Sequence, residues 1–302
     1  MLDVSFGHKI FYRTFGNPKG IPIVFIHGGP GGRSLPSHEI FFDPEKWFVI
    51  FYDQRGCGKS EPFASIENNN TTLLVDDLEI LRKKLNIEKW VVFGGSWGST
   101  LALYYGICFP DKCLGFLLRG IFLGTITEIN WFLLGMRKFF PEAHTKFLKG
   151  LKFSENYLPK PSEILSKAKQ LIYDKDPSIH IPAAEAWSSY ESSCSTIEYS
   201  NRSMTGASAL SLAKIEIHYF ENNCFLKTDE IIRKIYKLKD HPVFIIQGRH
   251  DVICPPFNAI KLNNNLENSF LTIVENTGHS AFEEENIVAI KKMLSQLFIK
   301  LS

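Results

Sequence analysis

The stretch Gly94-Gly95-Ser96-Trp97-Gly98 crowds one hydroxyl among three glycines. It lies where the apolar run Trp90-Val91-Val92-Phe93 stops and the helical pattern of Ser99-Thr100-Leu101-Ala102-Leu103 begins. A serine in a G-x-S-x-G pattern between a strand and a helix is a nucleophile elbow. The turn is so tight that bulky neighbours would clash with the approaching strand and helix, which explains the flanking glycines. It would hold the hydroxyl above the carboxyl edge of a sheet, where open α/β sheets place their ligands. The helix that follows would point its positive end at the same spot.

A serine hydroxyl is a weak nucleophile at neutral pH, so it needs a base, and the base needs an acid to orient it. On an elbow of this kind the chain order is serine, acid, histidine. Asp251 follows the run Val243–Gly248 and His279 follows Phe270–Val274, so both are expected at the sheet edge that carries Ser96. Of the nine histidines, His218 falls within a helical pattern and His250 precedes the candidate acid. Asp229 and Asp240 precede the nearby strand instead of ending it. Acyl transfer also needs donors for an oxyanion. His27-Gly28-Gly29-Pro30-Gly31-Gly32 ends another apolar run with uncovered N–H groups, and the N–H groups of Gly29 and Trp97 are the expected pair. No Lys-Ser/Thr follows this loop and G-x-G-x-x-G spacing is absent, which argues against a phosphate cradle.

The elements needed to hold these residues are legible in the first third. HKIFYRTFG alternates as an edge strand, while IPIVFI and WFVIFY are continuous apolar runs expected of strands buried on both faces. Between WFVIFY and the elbow strand, Leu74, Leu78, Leu81 and Leu85 repeat at helical spacing, with Asp76 and Asp77 early and Arg82, Lys83 and Lys84 late. Such strand-helix-strand repetition argues for a parallel, doubly wound sheet. From Leu123 to Lys239 the rhythm breaks into helical patterns rich in aromatics, and it resumes with HPVFIIQG. The expected organisation is a core of residues 1–122 and 240–302 interrupted by a helical insertion at 123–239.

Bulk properties exclude several classes. The chain has 302 residues and a net charge of +2, giving no electrostatic case for nucleic acid or an anionic membrane. No apolar run approaches the roughly 18 residues that suggest a membrane span. The N-terminal residues lack the basic-then-apolar pattern of a signal peptide, and six cysteines without CxxC spacing read as reduced packing residues. A cytoplasmic protein is expected. Cys254 and Cys57 lie close enough to the candidate site for thiol reagents to block it sterically, but neither has an evident base.

HGGPGG, DQRGCGKS, GGSWGSTLALYY, LRGIF, AWSSYE, KIEIHYF, GRHDVICP and TGHSAFE occur in an order and at a spacing that resemble the proline iminopeptidase family. The resemblance spans most of the chain and implies an α/β-hydrolase fold with a helical cap. It implies a serine exopeptidase that removes N-terminal proline from peptides without metal or cofactor. It further implies that Glu191 and Glu216 bind the free amine, that Phe122 and Phe220 hold the pyrrolidine ring, and that Arg119 belongs to the same site. Two carboxylates meeting in a covered pocket repel, and a cationic amine between them relieves that repulsion. The chain departs from the family at Tyr190, where tryptophan is usual, and at Lys214, where arginine is usual. Small peptides are the expected partners, and self-association is left open. The alternatives are a cap-domain esterase or amidase, or a hydrolase-fold binding protein. Ser96 at the elbow speaks against epoxide hydrolases and dehalogenases, which carry aspartate there.

Overall fold

The computed structural model describes residues 1–199 and 204–302. Two short strands, β1 (Leu2–Asp3) and β2 (Lys9–Ile10), pair with each other at the N-terminus. The main sheet comprises β3 (Tyr12–Gly16), β4 (Ile21–Ile26), β5 (Trp47–Tyr52), β6 (Trp90–Ser96), β7 (Cys113–Ile121), β8 (Val243–Gly248) and β9 (Ser269–Val274). Its strand order is β3-β5-β4-β6-β7-β8-β9. Only β3 runs antiparallel, at the edge, while every other neighbouring pair is parallel.

The parallel pairing follows from composition. The residues of β6 are buried along its whole length, as expected of a strand covered on both faces. One face packs under α1 (Thr71–Lys84), α2 (Trp97–Cys108) and α9 (Pro256–Asn263), and the other under α10 (Glu284–Leu301). Asn70 caps α1 by accepting from the Leu73 N–H, and its basic residues fall in the last turn.

Between β7 and β8 the chain forms α3 (Ile126–Asn130), α4 (Pro141–Gly150), α5 (Pro161–Ile172), α6 (Pro177–Ser193), α7 (Gly206–Glu221) and α8 (Glu230–Lys234), with no strand among the described residues. Helices α4 to α7 pack on one another. By contrast, α8 and the short turn of helix at Ile235–Leu238 pack on α2. Ile231, Ile235 and Leu238 are buried there, while Arg233, Lys234 and Lys237 lie on the outside.

Candidate active site

Ser96 closes β6 and caps α2 with φ 55° and ψ −128°, a conformation that L-residues seldom adopt. The space around the elbow explains its glycines. A Cβ on Gly94 would stand 2.0 Å from the Gly98 carbonyl oxygen, and one on Gly98 would stand 2.2 Å from that of Ile26. Strand and helix therefore approach too closely for any side chain at either position. Trp97 opens α2, so its N–H has no acceptor within the helix. Its indole donates to Gln54 Oε1 at 2.9 Å, fixing the residue that carries this N–H.

The loop after β4 reaches the same chamber. Gly29 lines the same chamber as Ser96 and has φ +113°, which glycine tolerates. The loop is clamped from above by α7, because Ser211 Oγ donates to the Gly31 carbonyl at 3.1 Å. A Cβ on Gly31 would collide with the backbone of Ser211 and Leu212.

His279 Nδ1 lies 2.8 Å from Asp251 Oδ2, and both residues are buried. Asp251 is held further by Gln247, whose Nε2 donates to Oδ2 at 3.0 Å, and by the Cys254 N–H, which donates to Oδ1 at 2.8 Å. Gly120, with φ +53°, leaves room for the pair, since a Cβ there would stand 3.0 Å from the imidazole Cε1. Among the described residues no hydrogen bond joins the Ser96 hydroxyl to His279 in this geometry. Contacts of this kind are often long in a free enzyme and tighten with substrate.

Above Ser96, α6 and α7 supply two carboxyls. Glu191 and Glu216 line the chamber together with Phe122, Phe132, Phe220, Glu128, Ile253 and Cys254. Burial pushes the Glu191 carboxyl up to about 7. Burial first, and then the charge of Glu191, raise Glu216 well above the ordinary carboxylate range, opposed by a hydrogen bond from Trp187. That bond runs from the indole Nε1 to Glu216 Oε2 at 2.6 Å. Neither carboxyl has an ion-pair partner among the described residues. The chamber leaves a free volume of only about 20 Å³, room for about one water molecule.

The α/β hydrolase fold family model matches residues 21–286. A probable proline iminopeptidase of Leptolyngbya boryana is 42% identical over 94% of this chain and 88% of its own. A proline iminopeptidase of Arabidopsis thaliana is 39% identical over 97% of this chain and 78% of its own. The chain belongs to the proline iminopeptidase family of α/β hydrolases. The fold also matches the crystal structure of a Mycobacterium smegmatis proline iminopeptidase, with a TM-score of 0.64 at 16% identity, covering 98% of each chain.

Within this family member, the residues expected from sequence do not all converge. Phe122 and Phe220 face each other across 6.3 Å between ring centroids, and both line the chamber. Arg119 does not line it. On β7 it alternates with Gly120 and shares the face of Leu117, which packs under α10. There it borders a separate cavity with His27 and His38, and it donates to the His279 carbonyl. Burial lowers its pKa, against the raising influence of Asp251. Lys214 is also remote from the chamber, with its ammonium over the Tyr173 ring. Tyr190 is buried and donates to the Phe132 carbonyl at 3.2 Å.

Several chamber residues escaped the motif reading. Phe132 stacks edge-on against Phe220, at 5.6 Å between centroids. Glu128 accepts four hydrogen bonds, from the Leu123 N–H, the Thr125 N–H and hydroxyl, and Asn258. It thereby ties the turn that follows Phe122 to α9. A Thr-x-x-Glu capping box at 125–128 was the one signal in the sequence that could have drawn attention to it.

Proposed function

We infer that this chain releases N-terminal proline from peptides by a serine acyl-enzyme mechanism, with Ser96 as nucleophile, His279 as general base and acid, and Asp251 as its orienting partner. The observation that carries the specificity is the pair Glu191 and Glu216, which line the chamber with Ser96 and have no ion-pair partner among the described residues. A secondary ammonium entering between them would supply the missing charge and donate charge-assisted hydrogen bonds. An internal proline carries no such charge, so the pocket favours a chain end.

Phe122 and Phe220, joined by Phe132, pack the pyrrolidine ring. The Ser96 hydroxyl attacks the prolyl carbonyl carbon as His279 takes its proton. The N–H groups of Gly29 and Trp97 receive the developing oxyanion. His279 returns the proton to the departing amine, and the peptide shortened by one residue leaves. Water, deprotonated by His279, then attacks the prolyl ester and frees proline and Ser96.

Residues 123–239 act as the cap in this reading, with α4 to α7 over the chamber and α8 fastening the segment's end to α2. A cytoplasmic setting fits the cysteines, all of which are free thiols. Among the described residues, no helix is long and apolar enough to cross a membrane. The deciding assay compares a proline arylamide with a free amine against the same compound N-acetylated. Release from the first alone is expected. Equal release from both would replace the exopeptidase reading with that of a general amidase.

A further inference from the structure

A chamber with room for about one water has to widen to admit a prolyl residue, and it lies between the helices carrying Glu191 and Glu216 and the sheet edge. Beside His279 those two parts are stitched together. The segment leaving α6 lies directly on the loop of the base. The Ser280 N–H donates to the Ser195 carbonyl at 2.7 Å. Glu283 reaches both sides, for its Oε2 accepts from the Gly278 N–H at 2.8 Å and its Oε1 accepts from the Ile197 N–H at 3.3 Å. A Cβ on Gly278 would stand 3.1 Å from the Ser195 carbonyl oxygen and 3.2 Å from the Ile197 nitrogen, so the two loops touch through a glycine.

The remaining carbonyls of the loop are held from the core. Asn286 on α10 donates to the Ser280 carbonyl at 2.8 Å and to that of Gly278 at 3.5 Å, and Arg119 donates to that of His279. The loop that aims the imidazole is therefore held by Asn286 and Arg119 from the core and by two hydrogen bonds to the segment after α6. Glu191 stands in the last turn of α6, four residues before Ser195, so a shift of that helix reaches the fastening through less than two turns of chain.

We propose that Glu283 is a positioning residue that latches the segment after α6 to the His279 loop, so that the base is aligned only while the amine-binding helix is seated. The latch makes seating of that helix a condition for alignment of the base. The proposal rests on the reading of His279 as the base. Its hydrogen bonds are partly exposed to solvent, as a contact broken in each turnover requires. Misplacing a catalytic group by about 1 Å can cost on the order of a hundredfold in rate.

The test uses the full chain with three variants, Glu283→Ala, Gly278→Ala and His279→Ala, assayed on a proline arylamide and on a small acetate ester. Glu283→Ala is expected to lower kcat on both by about tenfold or more, with KM within about twofold. Amide exchange should rise together at 195–197 and 278–280. Gly278→Ala keeps the carboxylate but wedges the loops apart, and should repeat the loss, which carries the test if Glu283→Ala fails to fold. Wild-type kcat in both of these variants would overturn the latch, as would exchange that rises at 278–280 alone. Substantial turnover by His279→Ala would instead defeat the assignment of the base. An inactive His279→Ala beside fully active Glu283→Ala and Gly278→Ala would sink only the latch.

Discussion

The two walls of the chamber are built on opposite principles. Along the sheet edge most of the groups proposed for catalysis are already partnered. Asp251 accepts three hydrogen bonds, His279 has its carboxylate, and Trp97 is held by Gln54. On the helical wall Glu191 and Glu216 share a single indole donor and no counter-charge among the described residues. The first wall is largely preorganised. On the second, burial favours the protonated carboxyls, and a bound cation would favour the charged ones. The comparison teaches that general hydrolytic chemistry and end-selection draw on different walls, joined beside His279 by the segment after α6.

Removing the nucleophile affects every substrate alike. Ser96→Ala should lower kcat by about a millionfold for arylamide and ester together, the order seen when a serine nucleophile is deleted. A direct kinetic comparison of the two substrates checks it, and a loss confined to one would mean that the walls are not separable. Glu216→Gln probes the other wall. It should reduce kcat/KM for the free-amine arylamide about a hundredfold, or about 2.7 kcal/mol, while an acetate ester loses less than about threefold. Equal losses on both would make Glu216 a packing residue.

The smallest effect is in the pH dependence. The Glu191 carboxyl is raised to about 7, so it binds a proton in the folded chain that it has lost in the unfolded one between about pH 4.5 and 7. Its stabilising contribution is therefore full below the unfolded value and is lost as pH rises through the folded one. Thermal unfolding at pH 5 and pH 8 should show Glu191→Gln more stable relative to the native chain at the higher pH. A difference that is flat across that window would remove the buried carboxylate from the account.

The same separation decides what the sequence disclosed. The elbow is a local device, since its glycines answer to contacts within a strand, a turn and a helix, and the pattern around Ser96 carries it. Asp251 and His279 were legible because each follows a strand, and parallel strands share one functional edge. Phe132 and Glu128 at the chamber, and Trp187 at Glu216, were not, because their places depend on how the inserted helices cross, which spacing does not encode. Glu191 and Glu216 came into view only through resemblance to a family, since a glutamate on a helix is ordinarily solvated. Arg119 shows the limit of that resemblance. Strand alternation turns it away from the chamber, to support the base from behind.

The backbone at position 96 has one more implication. Its torsions belong to a region that glycine occupies freely and serine only under strain, of the order of 1–3 kcal/mol. Folding, left to itself, would choose glycine there. The hydroxyl is thus carried against the preference of the scaffold, and a copy of this chain released from its reaction would grow sturdier by discarding it.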